Sequence, residues 1–149
     1  MGESSVTFTL PITEDHVRRF ADAVGEDNQV FFDRETAQRA GFPGLLAPPT
    51  FPVTQIFHIP REEREQRLGA NLNYARVLHG EQEFIYKRMP FAGEELTGTM
   101  RIAKDFTKEG KRGGQMRFVT YETVFTDAEG EEVVTALYTL IETSKDAAS

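Results

Sequence analysis

The apolar positions of the chain change period near its middle. In the first half they recur at helical spacing, with Val17, Phe20, Ala21 and Val24 at i, i+3, i+4 and i+7. Thr13 is placed to cap such a helix and Gly25 to end it. Asp33 as N-cap and Gly41 as a left-handed exit bracket a second, short helix running through Glu35 to Ala40. A loop from Glu26 to Phe32 joins the two. Residues 41–50 are rich in turn formers and then turn apolar, and Pro49 suits the first turn of a third helix over residues 50–58. That stretch carries apolar or small groups nearly all round, the pattern of a helix buried on most sides. Residues 61–67 are densely charged and read as a solvated helix or loop.

From Leu72 onward the period is two. Leu78, Gly80, Gln82, Phe84 and Tyr86 form one face of a strand, and His79, Glu81, Glu83, Ile85 and Lys87 form its wet side. Leu96, Met100 and Ile102 alternate with Thr97, Thr99 and Arg101 in a second strand. A turn-rich segment at 108–114 leads to a third over 116–126, and a tight connection at 127–130 leads to a fourth over 132–143. The expected architecture is α+β: one domain over 1–143, with four long antiparallel strands in meander order curled around the apolar helix at 50–58. The tail at 144–149 is expected to be disordered.

Composition narrows the chemistry. The 149 residues carry a net charge of −7 and no cysteine, which excludes disulfides, thiol catalysis and cysteine metal sites. An acidic chain without a sustained basic run is not expected to bind nucleic acid, where phosphate neutralisation dominates. No apolar stretch approaches the ~20 residues of a membrane span, and the first ten residues lack the pattern of a signal peptide. A cytoplasmic location without membrane association is expected. All serines (Ser4, Ser5, Ser144, Ser149) lie near the chain ends, poor places for a nucleophile that needs a rigid element. His16, His58 and His79 have no pair at zinc-ligand spacing, so no metal is expected.

Four blocks of sequence carry a resemblance: Ala21-Asp22-Ala23-Val24-Gly25-Glu26-Asp27-Asn28-Gln29-Val30-Phe31, Gly44-Leu45-Leu46-Ala47-Pro48-Pro49-Thr50-Phe51, Val77-Leu78-His79-Gly80-Glu81-Gln82, and Pro90-Phe91-Ala92-Gly93-Glu94. In this order they resemble the MaoC-like acyl dehydratases, and more narrowly the amino-terminal, fatty-acid-synthase-like dehydratase half of that family. The resemblance implies a hot-dog fold. It also implies action on acyl thioesters of coenzyme A or acyl carrier protein, interconverting (3R)-3-hydroxyacyl and trans-2-enoyl forms, with no cofactor beyond the thioester itself. The family's catalytic motif is Gly-Asp-x-Asn-Pro-x-His. One group activates water and another protonates the α-carbon, while backbone N–H groups hold the enolate oxygen. Here Gly25 and Asn28 match, but Glu26 replaces the Asp, Gln29 the Pro and Phe31 the His. Phe31 cannot transfer a proton.

The candidate catalytic residues are therefore Glu26, Asp27 and Asn28, in a degenerate motif. The candidate substrate-binding residues are Phe31, Phe32, Pro49, Thr50, Phe51, His79, Gly80 and Gln82. Phe31 and Phe32 are expected to face Phe51 and Phe57 as a tunnel wall, and the N–H groups opening the 50–58 helix to hold a thioester carbonyl, less the two donors lost at Pro48 and Pro49. His79 is either a surface imidazole among acidic neighbours or part of a subunit seam. His58, at a helix C-terminus, and His16 read as structural. Lys104, Lys108, Lys111 and Arg112 form either a solvated hairpin tip or a dock for the phosphates of coenzyme A or an acidic carrier protein. The resemblance implies a homodimer, or a heterodimer with a catalytic hot-dog subunit, in which this chain binds the acyl thioester. The alternatives are a stand-alone hydratase or acyl-CoA thioesterase using Glu26 or Asp27, or a pure binding subunit.

Overall fold

A computed structural model of the chain describes residues 5–111 and 114–144; the expected tail, apart from Ser144, and Arg112 lie outside them. The first strand, β1 (Val6–Pro11), is followed by α1 (Glu14–Ala23), a single 3-10 turn (Gln29–Phe31), α2 (Arg34–Arg39), a longer 3-10 segment (Phe51–Phe57) and α3 (Arg61–Leu68). After a further 3-10 turn (Tyr74–Arg76) come four strands: β2 (Val77–Tyr86), β3 (Glu95–Glu109), β4 (Gln115–Thr126) and β5 (Glu132–Glu142).

Helices α1 and α2 form for the local reasons their sequences suggest. The Thr13 hydroxyl accepts from the His16 N–H and the Asp33 carboxylate from the Thr36 N–H, each cap contributing about 1 kcal/mol. Helix α1 ends in a Schellman arrangement: Gly25 N–H reaches Asp22 O, Glu26 N–H reaches Ala21 O, and Gly25 takes φ +80°.

All five strands join one antiparallel sheet in the order β1-β3-β4-β5-β2. This corrects two expectations. Strand β1 was not among the four predicted, although Val6, Phe8 and Leu10 alternate with Thr7 and Thr9; it pairs with β3 along its length. The four remaining strands are not a simple meander either. β3, β4 and β5 are, but β2 crosses to the far edge and pairs with β5.

Inward side chains from the strands meet the N-terminal half of the chain in two main clusters. One gathers Leu10, Leu45, Phe51, Leu96, Phe125 and Val134, and the other Val6, Ile59, Leu68, Met100, Val119 and Tyr121. The 3-10 segment Phe51–Phe57 fills the first cluster with Phe51, Pro52 and Gln55, and the Gln55 amide oxygen accepts from the buried Thr123 hydroxyl at 2.8 Å. The expectation of a rod buried on most sides fails here. Val53, Ile56 and Phe57 are exposed at 37%, 54% and 77%, so the segment's outward side is also apolar. Pro52 near its start and the β-branched Val53, Thr54 and Ile56 favour the short, tighter helix. Among the described residues no helix is long and apolar enough to cross a membrane.

Candidate functional site

The loop that carries Glu26, Asp27 and Asn28 leaves the Schellman end of α1. The Asn28 side chain accepts from the Val30 N–H at 3.1 Å and so caps the 3-10 turn Gln29–Phe31. Its amide oxygen is occupied by that role. Asp27 is exposed, while Glu26 is half-buried and its carboxylate makes no hydrogen bond or ion pair among the described residues. Of the three motif residues, Glu26 alone is both sheltered and uncommitted.

Phe31 is buried in a small cluster with Ala21 and Leu46, against which Val30, Phe32, Phe42 and Met89 pack. It does not face Phe51 and Phe57 as expected. Phe51 belongs to the main cluster and meets Phe20 edge-on at 5.5 Å, and Phe57 points outward. The Leu46 N–H to Val30 O bond holds the motif loop against residues 45–47. That segment in turn lies along 90–92 through Ala47 N–H to Pro90 O and Ala92 N–H to Leu45 O. Two of the blocks singled out by resemblance are thereby brought onto the motif loop.

Pro49 and Thr50 are exposed, and the Pro49 carbonyl accepts from the Tyr86 hydroxyl. The helix-start donors expected to hold a carbonyl are mostly committed. Phe51 N–H donates to Pro48 O, Val53 N–H to Thr50 O, and Pro52 has none, which leaves the Thr50 N–H. His58 is half-buried at the end of the 3-10 segment. Burial disfavours its cation, and His16 nearby adds to this, so its pKa is held below the ordinary imidazole value.

His79 and Gln82 lie elsewhere. The β2–β5 register slips between His79 and Glu81, so His79 sits opposite Leu140 while Glu81 sits opposite Thr139. This bulge separates His79 from Glu81 and Glu83 and puts it on the core-side face, where it stays exposed, as expected of a surface imidazole, and its ring stacks on Tyr138 at 6.2 Å. Gly80 sits at the bulge with the Ile141 side chain close over it, where a Cβ would come within 2.6 Å of that side chain. Gln82 donates to Leu137 O at 3.1 Å. His79 opens β2, whereas Met89, which packs with Phe31, follows the strand's other end. The residues from 79 to 86 span about 23 Å of extended chain. His16 sits in the first turn of α1, about 10 Å along the axis from the end that carries Glu26. Neither His79 nor His16 is thus placed on the Glu26 loop, and His58 lies within electrostatic reach of His16, at the other end of α1.

The charged helix α3 holds a group that the sequence reading missed. Arg64 is 6% exposed, and its guanidinium donates to Tyr138 OH at 2.8 Å and to Tyr74 OH. The Glu65 carboxylate accepts from Tyr121 OH at 2.7 Å, from Tyr74 OH at 2.9 Å and from the Leu72 N–H. Burial pushes the Glu65 carboxyl up, but these donors and Arg64 outweigh it and hold its pKa below the ordinary value. Burial pushes the Tyr138 hydroxyl up to about 12, and the Tyr121 and Tyr74 hydroxyls also rise. All three stay protonated near neutrality; Tyr121 and Tyr74 donate to Glu65, and Tyr138 accepts from Arg64. The signal in the sequence was Arg64 and Leu68 on one helical face, opposite inward tyrosines at even spacing.

An antiparallel five-stranded sheet with a short central helical segment against one face is the hot-dog fold of the MaoC-like dehydratases. The backbone of a C-terminally truncated HadBC (3R-hydroxyacyl-ACP dehydratase) complex from Mycobacterium tuberculosis superposes with TM-score 0.77 at 22% identity, over 95% of this chain and 98% of that one. The ChsH1-ChsH2 complex of the same organism gives TM-score 0.73 at 20% identity, over 97% and 85%. Residues 1–136 match the family model of the FAS1-like dehydratase domain region. A UPF0336 protein of Leifsonia xyli subsp. xyli is 38% identical over 134 residues, 87% of this chain and 83% of that protein. Another, from Clavibacter michiganensis subsp. michiganensis, is 39% identical over 137 residues, covering 91% and 87%. The chain belongs to the FAS1-like dehydratase family.

Proposed function

We propose that this chain is the acyl-thioester-binding subunit of a (3R)-3-hydroxyacyl dehydratase, working also in reverse as a trans-2-enoyl hydratase, and that a second hot-dog subunit supplies the catalytic Asp and His. One observation carries the reading: Phe31 fills the position of the motif's histidine and is packed into the core, while His16, His58 and His79 all lie off the loop that holds Glu26. Hydration adds the water hydroxyl to Cβ and a proton to Cα of the enoyl thioester, and needs a base and an acid on one water. Glu26 alone offers one of the two.

Two surfaces support a partner. β2 is an edge strand with an open hydrogen-bonding side, which suits edge-to-edge pairing. Val53, Ile56 and Phe57 form an exposed apolar ridge on the short central helix, apolar area of the kind that marks an interface or an acyl groove. The HadBC and ChsH1-ChsH2 neighbours are themselves complexes of two named components. The substrate in this reading is a thioester of coenzyme A or of an acyl carrier protein, and the setting is cytoplasmic. The test is hydration of a trans-2-enoyl-CoA by the purified chain, by a hot-dog homologue with intact Asp and His, and by the two combined. Turnover that depends on the combination, with the two chains co-migrating, is the expected result.

The half-buried, uncommitted Glu26 favours a second reading, a stand-alone hydratase or thioesterase in which that carboxylate activates water. Hydrolysis of acyl-CoA by the lone chain, lost in Glu26→Gln, would establish it.

A further inference from the structure

The strand register sets out the outer face of the sheet, the side away from both main core clusters, row by row. Phe106 lies opposite Phe118, Phe118 opposite Ile141, and Ile141 opposite Leu78. Directly opposed residues share a face, so these four side chains form one apolar row across β3, β4, β5 and β2. The Phe106 and Phe118 rings stack at 5.1 Å, and the row's two ends are open, Phe106 at 47% and Leu78 at 49% exposure.

The adjacent row reads Lys104, Thr120, Thr139, Glu81. Its middle is neutral and satisfied, because the two threonine hydroxyls bond each other at 2.8 Å. Its ends carry opposite charges. Glu83 follows Glu81 on β2, and Lys108 lies over the Phe118 ring at 5.1 Å on the β3 side. Neither Lys104 nor Glu81 has an ion-pair partner among the described residues. Positive charge thus marks one side of the face, negative charge the other, and an apolar row joins them.

Such a face is complementary to itself. A two-fold axis lying in the interface parallel to the strands, through the middle of the rows, lays each row on its own copy with direction reversed. Lys104 of one copy then meets Glu81 of the other, and the reverse, while the apolar rows overlap. This axis leaves the strands of the two sheets aligned, as in aligned sheet-on-sheet packing. We propose that the outer face of the sheet is the docking surface for a second copy of this chain, packed back to back. The patch measures about 19 Å across four strands and about 27 Å along them. Two copies therefore bury on the order of 1,000 Å², near the lower limit for a specific interface, so the association is expected to depend on concentration. This surface is separate from the β2 edge, so an edge-paired assembly doubles through it.

The experiment is sedimentation of the purified full chain across a concentration series, with far-UV circular dichroism confirming that each variant is folded. Lys104→Glu alone and Glu81→Lys alone each weaken the self-association by about tenfold, since every two-fold contact places like charges together twice. The double swap Lys104→Glu with Glu81→Lys restores it, and Phe106→Ser abolishes it. β3 lies three strands away from β2 in the sheet, so an effect of Lys104→Glu does not come from edge pairing. The proposal is overturned if the chain shows no such association. It is equally overturned if Phe106→Ser and the single swaps leave the association unchanged, or if the double swap fails to restore it, the outcome expected were the lysines to serve a foreign acidic partner.

Discussion

At the scale of single residues, the short-range chemistry was readable and the side facing was not. Thr13, Gly25, Asp33 and Gly41 act where the sequence placed them, because a cap or a left-handed exit depends only on a few neighbouring atoms. His79 was grouped with Glu81 and Glu83 on one face, because period-two counting assumes an unbroken register and the β2–β5 pairing slips between His79 and Glu81. For Phe31 the account expects Phe31→His by itself to leave the lone chain without full hydratase activity, measured as enoyl-CoA hydration. Glu26 still places its carboxylate over an ångström from the aspartate position, an error that costs about 100-fold. His58 gives a pH prediction. Its pKa in the fold lies below the unfolded value near 6.5, so the unfolded chain takes up its proton first and stability falls as pH drops below about 6.5. In His58→Asn this part of the slope disappears, which thermal midpoints compared between pH 8 and pH 5.5 would reveal.

Among the elements, the strongest surprise is α3. A run of Arg and Glu reads as solvated on composition alone, and most of it is: Arg61, Glu62, Glu63 and Gln66 are exposed. One face, however, delivers Arg64 and Glu65 to three tyrosines beneath the sheet. Removing one member of a buried charged network leaves its partners unsatisfied, so Arg64→Ala should cost about 3 kcal/mol in denaturant unfolding. Gln66→Ala, at an exposed position of the same helix, should cost well under 1 kcal/mol. Equal effects would mean that the network does not tie α3 to the sheet. The segment Phe51–Phe57 carries the converse lesson. Apolar residues nearly all round looked like burial on most sides, but Val53, Ile56 and Phe57 lie at the surface, and hydrophobic pattern alone cannot separate a core from an interface.

For the molecule as a whole, the α+β class, the helices followed by long strands and the helical segment against the sheet followed from the sequence. Strand neighbours did not. Which strand lies beside which is set by contacts distant along the chain, and the pattern of β2 fits an edge beside β5 as well as one beside β3. The same limit applies to the site. That Phe31 stands where the resembled motif has a histidine was visible in the sequence, whereas its seclusion in a separate cluster became evident only in three dimensions. The Glu26 loop without a histidine, the open edge strand β2 and the apolar ridge of Val53, Ile56 and Phe57 are the three features on which the proposed pairing with a second hot-dog subunit rests.

The most direct measurement is the rate of trans-2-enoyl-CoA hydration by the wild-type chain and Glu26→Gln, each alone and each mixed with a hot-dog homologue bearing intact Asp and His. The account predicts no turnover above background for either chain alone, and rates within about twofold of each other for the two mixtures. Turnover by the wild-type chain alone that disappears in Glu26→Gln would contradict it.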